Sequence, residues 1–326
     1  MRLKKTLAVS AAVCAMLCLI FAPAAAIESA RYGLSLCAEL IVPSLLPFFT
    51  ASALLIRLGL PQTLGRALSP LARRLWGVSG AGASVFFAGI CGGYPLGAQS
   101  AAELYLTGQV KKDEAETLLR FCNNSGPSFL IGVIGSSLFS SRSAGILLYL
   151  THTAAALLTG VLFRRRSAAV FSSAPQPSEE TGIAEAFTAS VRQAVSAVLS
   201  VCGFVACFCV LSGLLDALGL WDIAAAAASR LVRTDPQDLR ALLMGLLELS
   251  SGVGALRGLP LTPARFVLVS FLCGWGGLSV QFQTMAVLAE TDLDVRPHLV
   301  GRIFSALLSC LLSFALTRFF PLLPFL

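Results

Sequence analysis

The sequence predicts an all-α polytopic membrane protein, arranged as an inverted repeat with two re-entrant hairpins and two broken transmembrane helices. Three observations predict it. Hydrophobic residues make up 56% of the 326 residues and charged residues only 13%, with a mean hydropathy of +0.81, more apolar surface than a water-soluble domain of this size needs. Two long apolar stretches are interrupted by Gly, Pro and side-chain amides, which a lipid-facing helix does not tolerate. The order span, Gly-rich hairpin, broken span, span occurs twice. The net charge of +7 comes from short Lys/Arg clusters between apolar runs, the pattern of cytoplasmic loops, so the expected partner is a lipid bilayer and not nucleic acid. The ten Cys lie mostly in apolar segments, with Cys202, Cys207 and Cys209 inside one predicted span. None pairs with His at a metal-ligand spacing, so they read as small packing residues and no metal or other cofactor is implied.

The chain opens with Arg2, Lys4 and Lys5 before an apolar run from Thr6 to Ile27. At about 20 residues the run is long enough to span. Ala22-Pro23-Ala24-Ala25-Ala26 also resembles a signal-peptidase site. A retained first helix is favoured, with cleavage as the alternative. The second span is expected at about Tyr32–Ile56, kinked by Pro43 and Pro47. Arg57, Arg66, Arg73 and Arg74 then mark a basic cytoplasmic loop.

Ser79 to Leu106 is apolar, yet five of the nine residues from Gly89 to Gly97 are Gly or Pro. Two half-helices meeting at a turn around Gly93-Tyr94-Pro95 fit this better than one span. A hairpin that leaves on the side it entered also keeps Lys111, Lys112 and Arg120 on the same side as Arg73 and Arg74. Glu103 lies in its return arm.

The next span, about Ala115–Phe139, contains Asn123-Asn124-Ser125-Gly126-Pro127. Two adjacent Asn and a Ser are costly against lipid unless they find partners. Pro127 removes an amide donor and disfavours helical geometry at Gly126. A helix broken here frees carbonyls on one side and amides on the other, the construction by which transporters hold a polar solute at mid-membrane. The alternative is a kinked span with the Asn pair as interhelical glue. A further span, about Ser143–Phe163, carries His152, either a proton carrier or a group hydrogen-bonded to a neighbouring helix. Arg164-Arg165-Arg166 ends it, and residues 167–182 read as a flexible linker.

The second half has a span at about Ala194–Leu218, then a charged loop with an Ala-rich helical piece. A second hairpin is expected around Glu248-Leu249-Ser250-Ser251-Gly252. A Gly-broken span follows at about Pro263–Ala289, centred on Gly274-Trp275-Gly276-Gly277-Leu278-Ser279-Val280-Gln281-Phe282-Gln283. The last span is about Val300–Phe320. The two broken centres match at a single offset, Cys122 with Cys273, Gly126 with Gly277 and Ser128 with Ser279. Each half has an odd number of crossings, so the second copy is inverted. In this topology the inner segments hold twice as many Lys and Arg as the outer ones. The organisation expected is an N-terminal helix (1–30), a first repeat (31–166), a linker (167–189) and a second, inverted repeat (190–326).

Val42-Pro43-Ser44-Leu45-Leu46-Pro47-Phe48-Phe49, Gly93-Tyr94-Pro95-Leu96-Gly97-Ala98 and Asn123-Asn124-Ser125-Gly126-Pro127-Ser128-Phe129 resemble the signature stretches of the YlbJ/SpoVV-type sporulation integral membrane proteins, which carry a nucleoside-recognition gate domain. The resemblance covers nearly the whole chain in order and spacing. It implies a role in endospore formation, with dipicolinate moved out of the mother cell across the outer forespore membrane. The gate domain is similar to part of the concentrative nucleoside transporters, which bind substrate between two hairpins and two broken helices. A nucleoside or another small solute is the alternative substrate.

A small anion would suit such a site. Half-helix N-termini offer amides and partial positive charge. The candidate substrate-binding residues are Gly93, Tyr94, Pro95, Asn123, Asn124, Ser125, Gly126, Ser250, Ser251, Gly252, Gly274, Trp275, Gly276, Ser279, Gln281 and Gln283, with Tyr94 or Trp275 stacking on a planar ring. No Arg is expected at mid-membrane, so dipoles would hold the anion. Arg257 and Arg265 would form an entrance funnel. Glu248, Glu103 and His152 are candidate proton-coupling groups. A coupling ion and a homo-oligomer are compatible with this reading. Two other classes were weighed, a membrane scaffold for spore assembly and an intramembrane enzyme. No nucleophile–base pair, paired Asp motif or metal spacing supports the enzyme.

Overall fold

Lipid offers the backbone no hydrogen-bond partner, so the apolar runs satisfy their own N–H and C=O groups as helices. The computed structural model describes residues 2–164 and 182–320, and every regular element among them is helical. Residues 165–181, which hold nearly all of the expected flexible linker, lie outside the described residues. Among the described residues five helices are long and apolar enough to cross a membrane, and the chain is a multi-pass, all-α membrane protein. A sixth crossing is possible by length if Ala67–Leu75 and Gly80–Gly92, which meet at 86°, count as one broken or re-entrant segment.

The first half begins with α1 (Arg2–Phe21) and α2 (Pro23–Leu36). A π-helical turn, Cys37–Ile41, joins α2 to α3 (Val42–Arg57), and the three together form one 35-residue span. This span begins at Pro23, earlier than hydropathy indicates, with proline in the first turn where its missing N–H costs nothing. The expected proline kink takes the form of the π turn, which lies just ahead of Pro43 and lets the helix run on past Pro47. The basic stretch expected as a loop is helical instead, as α4 (Leu60–Leu75), with Arg73 and Arg74 in its last turn where cations meet the negative end of the helix.

α5 (Gly80–Gly92) and α6 (Leu96–Leu106) pack on each other and meet at Gly93-Tyr94-Pro95, where Gly93 takes φ +87°. Ser79 caps α5 by accepting the Gly82 amide at 3.1 Å. α7 (Lys112–Leu118) ends well short of a full crossing, and the chain runs irregularly through Asn123–Gly126 into a π-helical segment, Ser128–Leu138. α8 (Arg142–Leu162) packs on that segment.

The second half runs through α9 (Ile183–Ala217), which starts inside the stretch expected as linker, and α10 (Leu220–Val232), the Ala-rich piece. α11 (Pro236–Leu247) and α12 (Leu249–Gly254) pack on each other. α13 (Pro263–Trp275) and α14 (Gly277–Leu288) meet at Gly276 and Gly277, both in the left-handed region at φ +86° and +80°. α15 (Arg296–Phe319) closes the described chain. α2 and α3 pack along α9, and α8 packs along α15, so the first crossings of the two halves pair with each other and so do the last. This pairing is consistent with pseudo-symmetry.

Lipid tails are as apolar as leucine, so close packing rather than burial holds such helices together. The first break is packed against the first hairpin in this way. The Cys122 carbonyl sits in a cleft between Gly89 and Gly97, and a Cβ on either glycine would overlap it. Beside it Trp76, Phe86 and Phe121 cluster with ring centroids 5.2–5.7 Å apart, and the Trp76 indole donates to the Leu157 carbonyl at 3.3 Å.

Candidate functional site

The tip of the first hairpin meets the first break. Tyr94 is buried there, and its hydroxyl donates to the Cys273 carbonyl at 2.7 Å, tying the tip to the end of α13. Both Asn side chains are fully buried and used by the protein itself. Asn123 accepts the Ala98 amide at 3.4 Å and donates to Thr284 at 2.9 Å, joining α6 to α14. Asn124 donates to the Phe121 carbonyl at 2.8 Å and accepts from Arg302 at 3.4 Å. The Ser125 amide donates to Nε2 of His152 at 3.0 Å, so that ring is a buried hydrogen-bond acceptor on a neighbouring helix, the second of the two roles expected for it.

The tip of the second hairpin is organised by Glu248. It is 2% exposed, at the turn between α11 and α12. Its carboxylate caps α12 by accepting the Ser250 amide at 3.1 Å and the Ser251 amide at 2.6 Å. The Cys209 thiol lies 3.9 Å from one oxygen. At the second break, Gln281 donates to the Trp275 carbonyl at 2.7 Å and Gln283 to Ser279 at 3.2 Å. The Trp275 indole donates to the Leu246 carbonyl at 3.0 Å.

Arg302, which is not among the expected site residues, lies beside the first break. It is fully buried, 0% exposed. One terminal nitrogen donates to the Tyr94 hydroxyl at 3.1 Å and the Gly274 carbonyl at 3.4 Å. The other donates to Asn124 and, at 3.1 Å, to Ser305. Arg302 falls near the start of the expected last span, about Val300–Phe320, and is not among the residues singled out from the sequence. The available signal was a stripe: His298, Arg302, Ser305, Ser309 and Ser313 recur at helical spacing on α15 and are all buried.

The hairpin tips, the first break and α14 line a cavity of about 90 Å³. Of the candidate residues, Gly93, Tyr94, Ser125, Gly126, Ser250 and Gln283 line it, with Glu248. Pro95, Asn123, Asn124, Gly252, Gly274, Trp275, Gly276, Ser279, Gln281 and His152 do not line it, and Ser251 lines the neighbouring vestibule instead. Sequence reasoning missed the scaffold side of the cavity, where Ser44 and Leu45 face Val201 and Val205. Their apolar character carries no signal beyond that of a span.

The cavity continues into a vestibule of about 960 Å³ through shared walls at Leu40, Phe129, Val133 and Ser250. The vestibule lies at the end of the bundle that holds the start of α2 and the end of α9, and Glu28, Glu39, Asp216, Arg240 and Arg257 line it. Arg257, one of the two arginines expected to form a funnel, thus lines the vestibule. Arg265 does not. It is buried, donating to Asp238 at 2.7 Å, to Asp235 at 3.4 Å and to the Pro260 carbonyl at 3.0 Å. Glu103 lies away from the cavity, in a narrow crevice with Gln99 and Ser100. There Arg57 donates to Gln193 at 2.9 Å, and Gln193 donates to Glu103 at 3.3 Å. Among the described residues no group of three or more His, Cys, Asp or Glu converges as a metal site.

The packed helix pairs α5–α6 and α11–α12 lie beside two interrupted helices in an all-α membrane fold, and solved structures share that fold. A CNTnw double variant in an outward-facing state superposes with a TM-score of 0.56 at 16% identity, covering 98% of this chain and 86% of that one. A second CNTnw double variant, also outward-facing, gives 0.52 at 15% identity over 98% and 85%. No family model matches the chain. Sporulation integral membrane protein YlbJ of Bacillus subtilis (strain 168) is 31% identical over 309 residues, 86% of this chain and 75% of the relative. The chain belongs to the YlbJ family of sporulation integral membrane proteins.

Proposed function

We propose that this protein is a non-enzymatic transporter of a small polar solute, working by alternating access at the cavity between the hairpin tips. One observation carries the reading: both hairpin tips, the first helix break, and Val280 and Gln283 of α14 line one mostly apolar cavity with a few polar groups, and this cavity adjoins a vestibule at one end of the bundle. At about 90 Å³ the cavity is well below the roughly 300–1,000 Å³ of drug-sized sites, which suits a small solute. The likeness to CNTnw in outward-facing states supports an alternating-access design. In this reading residues 31–166 and 190–326 are inverted copies, α5–α6 and α11–α12 are re-entrant hairpins, and the vestibule faces outward. Glu248 is the coupling candidate, being the buried carboxylate at the cavity wall. Glu103 and His152 are not, because neither lines the cavity.

Membership of the YlbJ family of sporulation integral membrane proteins supports work in a membrane during endospore formation, and the mother-cell or outer forespore membrane is the one we propose. Two substrate classes follow: a nucleoside-like solute, or a small aromatic dicarboxylate such as dipicolinate. Uptake into proteoliposomes of radiolabelled uridine and dipicolinate, with Gln283→Ala as the cavity variant, tests the proposal. Saturable uptake of either solute, reduced about tenfold or more in the variant at equal folded protein, is expected for loss of a buried polar contact. No uptake of either above empty liposomes, with a pH gradient in either direction, overturns it.

A further inference from the structure

Two ionisable side chains are buried against this cavity, and their charges are met differently. Glu248 has an answer for its charge, since its two oxygens accept the Ser250 and Ser251 amides. Arg302 does not. Among the described residues no carboxylate lies within ion-pair distance of it. Its four hydrogen bonds go to neutral acceptors on Tyr94, Asn124, Ser305 and Gly274, and its Nε has no partner. His152, whose Nε2 accepts the Ser125 amide, supplies no negative charge either, because an imidazole is neutral or cationic. The carbonyl end of α13 holds the guanidinium in place, but a helix end carries only about half a charge.

A buried cation without a counter-ion is costly. The missing charge can come only from something mobile, and the cavity is one wall away. The Tyr94 ring centroid lies 5.9 Å from the guanidinium carbon, and Tyr94 lines the cavity. Asn124, the other anchor of Arg302, precedes Ser125 and Gly126, which line it too. We infer that Arg302 makes this site select an anion, with a substrate carboxylate on the Tyr94–Ser125–Gly126 side supplying the counter-charge.

Arg302 acts through its field and through the wall residues it fixes, so it is a positioning residue and not a contact. The inference rests on the transport reading and narrows it, from a small polar solute to a small organic anion. The layout also orients that anion. Glu248 and Ser250 stand at the opposite hairpin tip, so the charged end belongs beside the first tip and hydrogen-bond donors beside the second.

The test uses two solutes of one shape and different charge. Dipicolinate and the neutral pyridine-2,6-dicarboxamide are compared for uptake into proteoliposomes, with uridine as a further neutral solute. The proteins are wild type, Arg302→Lys and Arg302→Gln. Wild type is expected to prefer dipicolinate over the dicarboxamide by about tenfold or more in kcat/KM, the scale of one charge pair across a few ångströms of protein. Arg302→Lys keeps most of that preference, and Arg302→Gln loses it while still carrying the neutral solute. A structural role alone predicts that Lys, which cannot reach four acceptors at once, fails as Gln does. The inference is overturned if wild type carries the neutral isostere equally well, or if Gln keeps the preference. Should Gln not fold, the ratios of wild type and Lys decide. Uptake of none of the three solutes would overturn the transport reading itself, and this inference with it.

Discussion

The Arg302 guanidinium donates to the Tyr94 hydroxyl at 3.1 Å, and that hydroxyl donates onward to the Cys273 carbonyl at 2.7 Å. One phenolic oxygen thus joins the last helix, the first hairpin tip and the end of α13. Tyr94→Phe deletes this oxygen and leaves a buried carbonyl and a buried guanidinium N–H short of a partner. The expected cost is about 1–3 kcal/mol, read as a lower melting temperature in detergent. Arg302→Met alone strands the acceptors on Asn124 and Ser305. In the double variant the shared bond is already gone, so the two costs add to less than their sum by about 0.5–3 kcal/mol. Strict additivity would show that the two residues are not coupled.

Packing at the first break gives a sharper contrast. A Cβ on Gly97 would overlap the Cys122 carbonyl, whereas one on Gly203 or Gly132 meets nothing within 4 Å. The obstacle at Gly97 is backbone, which cannot swing away as a side chain can. Gly97→Ala should cost at least the roughly 1–3 kcal/mol of an overpacked core and lower the yield of folded protein. Gly203→Ala, in the middle of α9, should be neutral or mildly stabilising. Size-exclusion profiles and thermal melts of the two variants side by side check this. Equal behaviour would mean that the break does not press on the hairpin as closely as the structure has it.

The breaks and tips themselves were legible because their causes are local. Gly93-Tyr94-Pro95 and Asn123–Pro127 stop a helix with their own backbones, whatever surrounds them. What those residues touch was not legible. The Asn pair reads as ligand donors in sequence, yet Thr284 and Arg302, the partners that consume them, lie more than 150 residues away in the chain. Arg302 was missed for a related reason. A hydropathy window places a charge near the start of a span at the membrane surface, and only the polar stripe His298–Arg302–Ser305–Ser309 shows that this face of α15 looks inward. The start of α2 at Pro23 was obscured because Ala22–Ala26 is apolar enough to extend the preceding run.

At the far end of the bundle from the vestibule, Arg57, Gln193 and Glu103 link α3, α9 and the return arm of the first hairpin. If the hairpin moves against this scaffold during transport, the link must break. Gln193→Ala removes both bonds. Each is partly exposed, so together they are worth about 1 kcal/mol, enough for a roughly fivefold shift towards a form open at that end. Hydrogen exchange of residues 99–106 and 190–197 should become faster in the variant, with the vestibule end unchanged. Unaltered protection at both ends would remove this link from the gating step.

The two arginines expected to form a funnel should now separate by experiment. Arg265 is buried and bonded to Asp238 and Asp235. Truncating one partner of a buried ion pair costs about 3–5 kcal/mol, but Asp235 is half exposed at 46%, so about 2 kcal/mol is the better expectation once solvent screening is allowed for. Arg265→Met should therefore lower the melting temperature by several degrees and leave uptake per folded molecule unchanged. Arg257 lines the open vestibule. Arg257→Met should leave stability alone, lower the uptake of an anion, and flatten the dependence of that uptake on ionic strength, because a steering charge is screened by salt. Uptake rates at low and high salt, beside thermal melts, separate the two roles. A loss of uptake at unchanged stability in Arg265→Met would return that residue to the funnel.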